Sequence, residues 1–387
     1  MSPRRAKRKS LFKMPLFVKG RIDYTFLVLV LILVGFGLVL LFSSSYATSY
    51  YDKGRSTFYV GRQLLFAGLG IAALIAVSFF NYKHLRNLAV YIGIASLVLL
   101  LLVLLIGVTR NGAKRWIDLG FTEFEPSEIT KFAVICFYAH AITSLGEKIK
   151  IFRYWFLLFV GPMAIIFFLM SRQPHYSGAI IIMAIAAAMM FMGGIPGKWV
   201  YLALVLVLVS IPLLPTLAKS VDYIAARLEV YNDPWSDLRG KGWQTVQSYY
   251  ALGSGGLLGL GLGNSRQKFF YLPEESNDYI FAIACEELGF VGGVVILIIF
   301  ALLIIRGYWL ALHMRDRFGS LLVAGIITQI ALQVFLNIAV VTNLIPVTGI
   351  SLPFFSYGGT ALIIQMAEMG VILAVTRQSE ETQLTGN

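Results

Sequence analysis

Between Asp23 and the serines at 43–45 runs Phe26–Phe42, a stretch without a single charged side chain. With its borders it reaches the ~20 apolar residues that a helix needs to cross a hydrocarbon core, and it exceeds the ~7–15 residues of a signal-peptide core. Backbone polar groups in lipid must be satisfied within the segment, so such a run folds as a helix. The pattern recurs, and spans are expected at 23–44, 60–79, 84–107, 126–145, 153–171, 176–193, 198–216, 279–305, 318–342 and 358–377. Of the 387 residues, 58% are hydrophobic and only 13% charged, about half the charged share of a soluble domain. The expected fold is therefore an all-α polytopic membrane protein of ten helices, with one large extracytoplasmic loop, 217–278, between the seventh and eighth.

The net charge of +12 invites a nucleic-acid reading, but its distribution argues against one. Eight Lys and Arg lie within residues 1–21, where they set topology and meet anionic headgroups. With the N-terminus inside, 18 of the 32 basic residues fall in inner segments. That divides the chain into a basic cytoplasmic tail (1–22), one membrane domain (23–377) and a cytoplasmic C-terminal tail (378–387). Cys136 and Cys285 sit in apolar runs and form neither a metal motif nor a disulfide framework.

Ionisable residues inside spans are functional candidates because burying a charge is costly. Glu128 and Lys131 follow Pro126, share a helix face and either pin packing as an ion pair or line a polar cavity. Lys114 and Arg115 stand in an outer loop, against the topology bias; Arg suits a carboxylate or pyrophosphate. Gly259–Ile280 brings glycines, Arg266 and Lys268, then Glu274, Glu275 and Asp278. The glycines follow no strand, which argues against a nucleotide cradle. Asp278 occupies a helix-cap position and is expected either to cap the eighth span or to act as a general base. Glu286, Glu287 and Glu368 lie deeper. Pro346–Thr360 interrupts an apolar stretch, tolerated at this depth only where backbone is buried in protein or lines a cavity.

Three stretches in order carry a family resemblance. The first is Lys114-Arg115-Trp116-Ile117-Asp118-Leu119-Gly120 with Glu125-Pro126-Ser127-Glu128 and Lys131. The second is Gly261-Leu262-Gly263-Asn264-Ser265, Leu272-Pro273-Glu274, Asp278-Tyr279-Ile280-Phe281-Ala282 and Glu286-Glu287-Leu288-Gly289. The third is Thr348-Gly349, Leu352-Pro353 and Ser356-Tyr357-Gly358-Gly359. From Asp23 to about Arg377 the chain resembles the SEDS family of RodA, FtsW and SpoVE, leaning toward the FtsW-like branch.

The resemblance implies a peptidoglycan glycosyltransferase that polymerises lipid II at the outer face of the bacterial cytoplasmic membrane, during division or elongation. It implies a class B penicillin-binding protein and other division or elongation membrane proteins as partners, and no nucleic acid. The family's essential aspartate falls on Asp278, and its membrane-embedded pair on Glu128 and Lys131. Arg115, Lys268 and Ser356 join those two as substrate-binding candidates, the cations opposite the pyrophosphate. A divalent cation, Mg or Mn, is compatible with that leaving group, but no ligand set is legible. One departure stands out: Gln173-Pro174 is followed by His175-Tyr176-Ser177-Gly178 where the family often has Asp-Leu-Gly-Thr. Two other functions fit the same polar residues, a lipid II flippase and a non-catalytic scaffold for a penicillin-binding protein.

Overall fold

In the computed structural model, residues 15–18, 20–110, 113–199, 201, 202, 205, 230–238, 240 and 242–384 are described. The first apolar run becomes α1, Tyr24–Lys53. Its start is fixed by Asp23, which accepts from the Phe26 amide at 2.7 Å, and its end by Gly54 at φ 68°. The helix continues past the expected end at 44. Ser44 and Ser45 turn their hydroxyls back onto the Leu41 carbonyl, at 3.2 and 2.7 Å, and so remain inside it.

The membrane bundle continues with α2 (Phe58–Ser78), α3 (Lys83–Ile106), α4 (Pro126–Leu145), α5 (Phe152–Arg172) and α6 (Tyr176–Met192). Within the expected loop 217–278 lies α7 (Gly242–Ser254), and after that loop come α8 (Ile280–Leu312), α9 (Arg317–Val341) and α10 (Gly359–Leu384). Eight of the described helices are long and apolar enough to cross a membrane, and α6 is a shorter apolar helix. Most of the expected span 198–216 lies outside the described residues. The last helix continues to Leu384, so much of the expected C-terminal tail is helical. At the centre stand α9 and α10, each with 72% of its most apolar window buried; α3, with 22%, is at the periphery.

Two features depart from a simple bundle. Between α3 and α4 a small antiparallel sheet forms from β1 (Val108–Arg110), β2 (Ala113–Asp118) and β3 (Glu123–Phe124), in that order, where a loop was expected. β2 carries Lys114 and Arg115. Lys114 Nζ caps α3 by donating to the Leu104 and Leu105 carbonyls, at 2.8 and 3.2 Å.

The second feature is a break inside α8. Gly289 adopts φ 70° and ψ −173°, which no helix contains. The carbonyls of Glu286 and Glu287 accept instead from the Leu260 and Gly261 amides, both at 3.0 Å. The Phe290 and Val291 amides donate to the Gly256 and Leu257 carbonyls, at 2.9 and 3.1 Å. Four backbone bonds thus sew the glycine-rich tract into the break. A Cβ on Gly259 or Gly289 would collide with the backbone of the other strand of this seam. The tract is glycine-rich because two backbones must touch there.

Candidate functional site

Asp278 stands one residue before the cap position of α8, which Tyr279 occupies without a side-chain bond to the helix. The backbone of residues 276–278 is held at three points. Asn337 on α9 donates to the Asp278 carbonyl at 2.8 Å and to the Ile350 carbonyl at 2.7 Å. Ser356 Oγ donates to the Asn277 carbonyl at 2.7 Å and accepts from the Leu352 amide at 2.8 Å. The Tyr357 amide donates to the Ser276 carbonyl at 2.9 Å. Ser356, a substrate-binding candidate in the sequence, therefore has its hydroxyl engaged in joining the Pro346–Thr360 segment to the residues around Asp278.

The same segment brings the aspartate to its surroundings. A Cβ on Gly349, which has φ 69°, would lie 3.2 Å from Asp278 Oδ2. One residue earlier, the Thr348 carbonyl accepts from Ser177 Oγ at the start of α6, at 2.5 Å. The carboxylate is thus one loop residue away from the contact with α6.

Behind that contact lies a second polar group. Lys131 Nζ meets Glu128 Oε1 at 2.7 Å, both residues buried on α4. His175 Nε2 is 3.4 Å from Oε1 of Glu125, the oxygen that also accepts from Ser127 Oγ at 2.6 Å. Arg115, reaching over from β2, donates through Nη2 to the Pro174 carbonyl at 2.6 Å. Burial, and then the charges of Arg115 and Lys131, push the His175 imidazole down to about 3, so it is neutral at physiological pH. Glu368 on α10 accepts from Gln329 at 2.9 and 3.1 Å, inside the same bundle.

Two further carboxylates, Glu274 and Glu275, precede Asp278 in the chain. Glu275 accepts from Thr48 on α1. Burial raises its carboxyl above the ordinary range against that bond, and Glu274 and Asp52 add to the rise. Among the described residues, no group of three or more His, Cys, Asp or Glu is arranged to hold a metal ion.

Lys268 is placed differently from the expectation. Its ammonium donates to Glu287 Oε1 at 2.9 Å, to Ser43 Oγ at 3.1 Å and to the Gly263 carbonyl at 2.6 Å. It is 2% exposed and Glu287 is 0% exposed. All three hydrogens are engaged, and none is left for a pyrophosphate. Beside it, Glu286 accepts from Ser265 Oγ and from the Arg266 and Gln267 amides, at 3.0 and 3.3 Å. The two glutamates fasten the long loop before α8 to the break in that helix.

A sequence profile of the cell cycle protein family of FtsW, RodA and SpoVE matches residues 24–381. The chain belongs to this family. It is 40% identical to stage V sporulation protein E of Bacillus subtilis (strain 168) over 360 residues, 92% of this chain and 97% of that protein. Its identity is 36% to the probable peptidoglycan glycosyltransferase FtsW of Geobacter metallireducens, over 96% of this chain and 99% of that one. Among solved structures, a peptidoglycan synthase complex that coordinates polymerization and crosslinking contains a chain of the same fold. There the TM-score is 0.76 at 27% identity, over 92% of this chain and 98% of the other. As a FtsW/RodA/SpoVE chain with several membrane-spanning helices, it is a multi-pass membrane protein.

Proposed function

We propose that this chain is a peptidoglycan glycosyltransferase that polymerises lipid II, with Asp278 as general base. The observation that carries the reading is the placement of Asp278. Its carboxylate lies against Gly349, its backbone is clamped by Asn337, and one residue along the loop begins the contact with the cluster of Arg115, His175, Glu128 and Lys131. A fixed base beside fixed cations is what a displacement with an anionic leaving group requires.

In this mechanism Asp278 takes the proton from a sugar hydroxyl of the acceptor lipid II. The oxygen attacks the anomeric carbon of the lipid-linked donor, the glycosidic bond forms with inversion, and undecaprenyl pyrophosphate leaves. Arg115, which donates to the Pro174 carbonyl, is the foremost candidate to meet the pyrophosphate; Lys131, paired with Glu128, is the second. Ser356 and Asn337 position the base. Among the described residues no three His, Cys, Asp or Glu side chains are grouped to hold a metal ion, a Mg or Mn ion would need only one or two carboxylates beside the pyrophosphate, and no step is routed through one.

The catalytic face is assigned to the outside of the bacterial cytoplasmic membrane, with both termini in the cytoplasm, consistent with the basic N-terminal tract. A class B penicillin-binding protein is the partner that would crosslink the product. The test is lipid II polymerisation by the purified chain, alone and with that partner. Asp278→Ala should abolish polymer while leaving folding and partner binding intact. Full polymerisation by that variant would overturn the assignment; translocation of labelled lipid II that survives it would favour a flippase.

A further inference from the structure

Buried polar atoms without partners cost about 1–3 kcal/mol each and are few in a folded chain. Among the described residues, several gather on the segments that meet beside Asp278, Oδ1 of Asn337 among them, and three lie where α4, the start of α6 and the Pro346–Thr360 loop come together. The three are Oε2 of Glu128 on α4, Nδ1 of His175 at the start of α6, and Oγ1 of Thr348 in the loop. Glu128 and His175 are 7% and 6% exposed, so bulk water does not serve them.

The chemistry of the first two atoms is fixed by their neighbours. Oε1 of Glu128 is taken by Lys131, and its free partner Oε2 only accepts hydrogen bonds. His175 turns Nε2 toward the Glu125 carboxylate, 3.4 Å away, which also only accepts; that neighbour favours the tautomer with the ring proton on Nε2 and a lone pair on Nδ1. The ring fits because residue 178 is glycine; a Cβ there would lie 2.6 Å from both Cε1 and Nε2 of the imidazole. Two hydrogen-bond acceptors therefore stand beside two cations, Arg115 and Lys131. A bare anion would be repelled by Oε2 of Glu128, and a neutral alcohol would gain nothing from the positive charge nearby. A sugar that carries a phosphate uses both.

We propose that His175 Nδ1 and Glu128 Oε2 form a subsite that accepts hydroxyl or amide hydrogens from the sugar of the lipid-linked substrate, with Thr348 Oγ1 completing it. This rests on the lipid II reading above. It gives His175 a role in substrate binding, separate from the contact its other nitrogen makes with Glu125.

The two ring nitrogens can be tested apart. In His175→Asn the amide falls where Nδ1 lies; in His175→Gln it falls where Nε2 lies. Thr348→Val removes the third polar atom without changing shape. The full-length purified chain in nanodiscs is assayed for lipid II binding and for polymerisation. Loss of one buried hydrogen bond corresponds to about a tenfold change. His175→Gln should raise Kd and KM about tenfold with kcat within about threefold of wild type, and His175→Asn should restore both constants. Thr348→Val should raise KM by about threefold to tenfold at an unchanged melting temperature. The reverse ranking of the two histidine variants, or three variants indistinguishable from wild type, overturns the subsite. A wild-type chain that binds lipid II and ranks the variants as expected, yet makes no polymer, keeps the subsite and overturns the glycosyltransferase reading.

Discussion

Lys268 offers the sharpest test of how this site is built, because its sequence and its surroundings point to different roles. As a pyrophosphate ligand it would bind substrate; as placed, it neutralises Glu287 and holds the outer loop on α1 through Ser43. In Lys268→Met, Glu287 keeps its bonds from Ser43 Oγ, at 2.6 and 2.7 Å, and from the Ser265 amide at 3.3 Å. What it loses is the cation paired with it. Removing one partner of a buried ion pair costs about 3–5 kcal/mol, because a charge remains in a low dielectric. Neutralising the other partner as well removes that charge. Lys268→Met with Glu287→Gln should therefore recover about 2 kcal/mol or more of the loss, since a glutamine still satisfies Ser43. The chain supplies its own reporters: Cys136 and Cys285 are free and buried, and Cys285 adjoins Glu286 at the seam. A thiol-reactive dye followed during heating in detergent would read both single variants and the double. The expected order of melting temperature is wild type, then the double variant, then Lys268→Met. If Lys268→Met melts like wild type, raises only KM, and gains nothing from Glu287→Gln, the lock does not exist and the ammonium is available to substrate.

Gly349→Ala should lower kcat at least tenfold in the polymerisation assay, because its Cβ would crowd Asp278 Oδ2 and φ 69° strains any side chain there. Asn337→Leu leaves the Asp278 and Ile350 carbonyls without their donor; a loss of about 2 kcal/mol in thermal stability and a fall in kcat rather than a rise in KM are expected. For pH, the folded His175 is held down to about 3 while the unfolded residue titrates near 6.5. Below about 6.5 the unfolded chain binds the proton first, so stability should fall by roughly 1.4 kcal/mol per pH unit down to the folded value and be flat above 6.5 from this group. Melting temperatures at pH 5.5 and 7.5 check this, and His175→Asn should remove that part of the difference. Glu275 has the opposite sign: its raised carboxyl contributes stability at acid pH that is lost as pH rises through its folded value.

Hydropathy made the spans legible because depth in a bilayer is a local property. Pro126 begins α4 where a proline at the first helical turn predicts, and α9 lies within a residue of the expected span at each end. The sheet between α3 and α4 was missed although the two residues between paired Arg110 and Ala113 are Asn111-Gly112, the commonest hairpin dipeptide. The break at Gly289 escaped for a different reason. A single glycine in an apolar run is compatible with a helix, and only its partner tract, about thirty residues upstream, reveals the seam. Lys268 is the same problem at longer range. Composition placed a cation in an outer loop, but its environment is set by Ser43, 225 residues away in sequence. The charge was visible; its neutralisation was not.

The seam also changes what the outer loop is. The loop is about sixty residues long, yet its last part is sewn to α8 by four backbone bonds, by Glu286 and by the Lys268–Glu287 pair. Gly289 cuts the helical bonding of α8, so the short stretch Ile280–Leu288 is separated from the membrane part of that helix and joined to the loop. Asp278 sits at the free end of this stretch, and Asn337 and Ser356 hold that end against α9 and the Pro346–Thr360 segment. A general base must be fixed within fractions of an ångström of its proton, and loops alone seldom provide that. Here the glycines that look like flexibility in the sequence create close backbone contact, and the glutamates inside the span convert a loop into a support for the carboxylate. A variant that loosens the seam without touching Asp278 should then lower kcat in proportion to its effect on the loop, which makes the melting and polymerisation assays of Lys268→Met two views of one quantity.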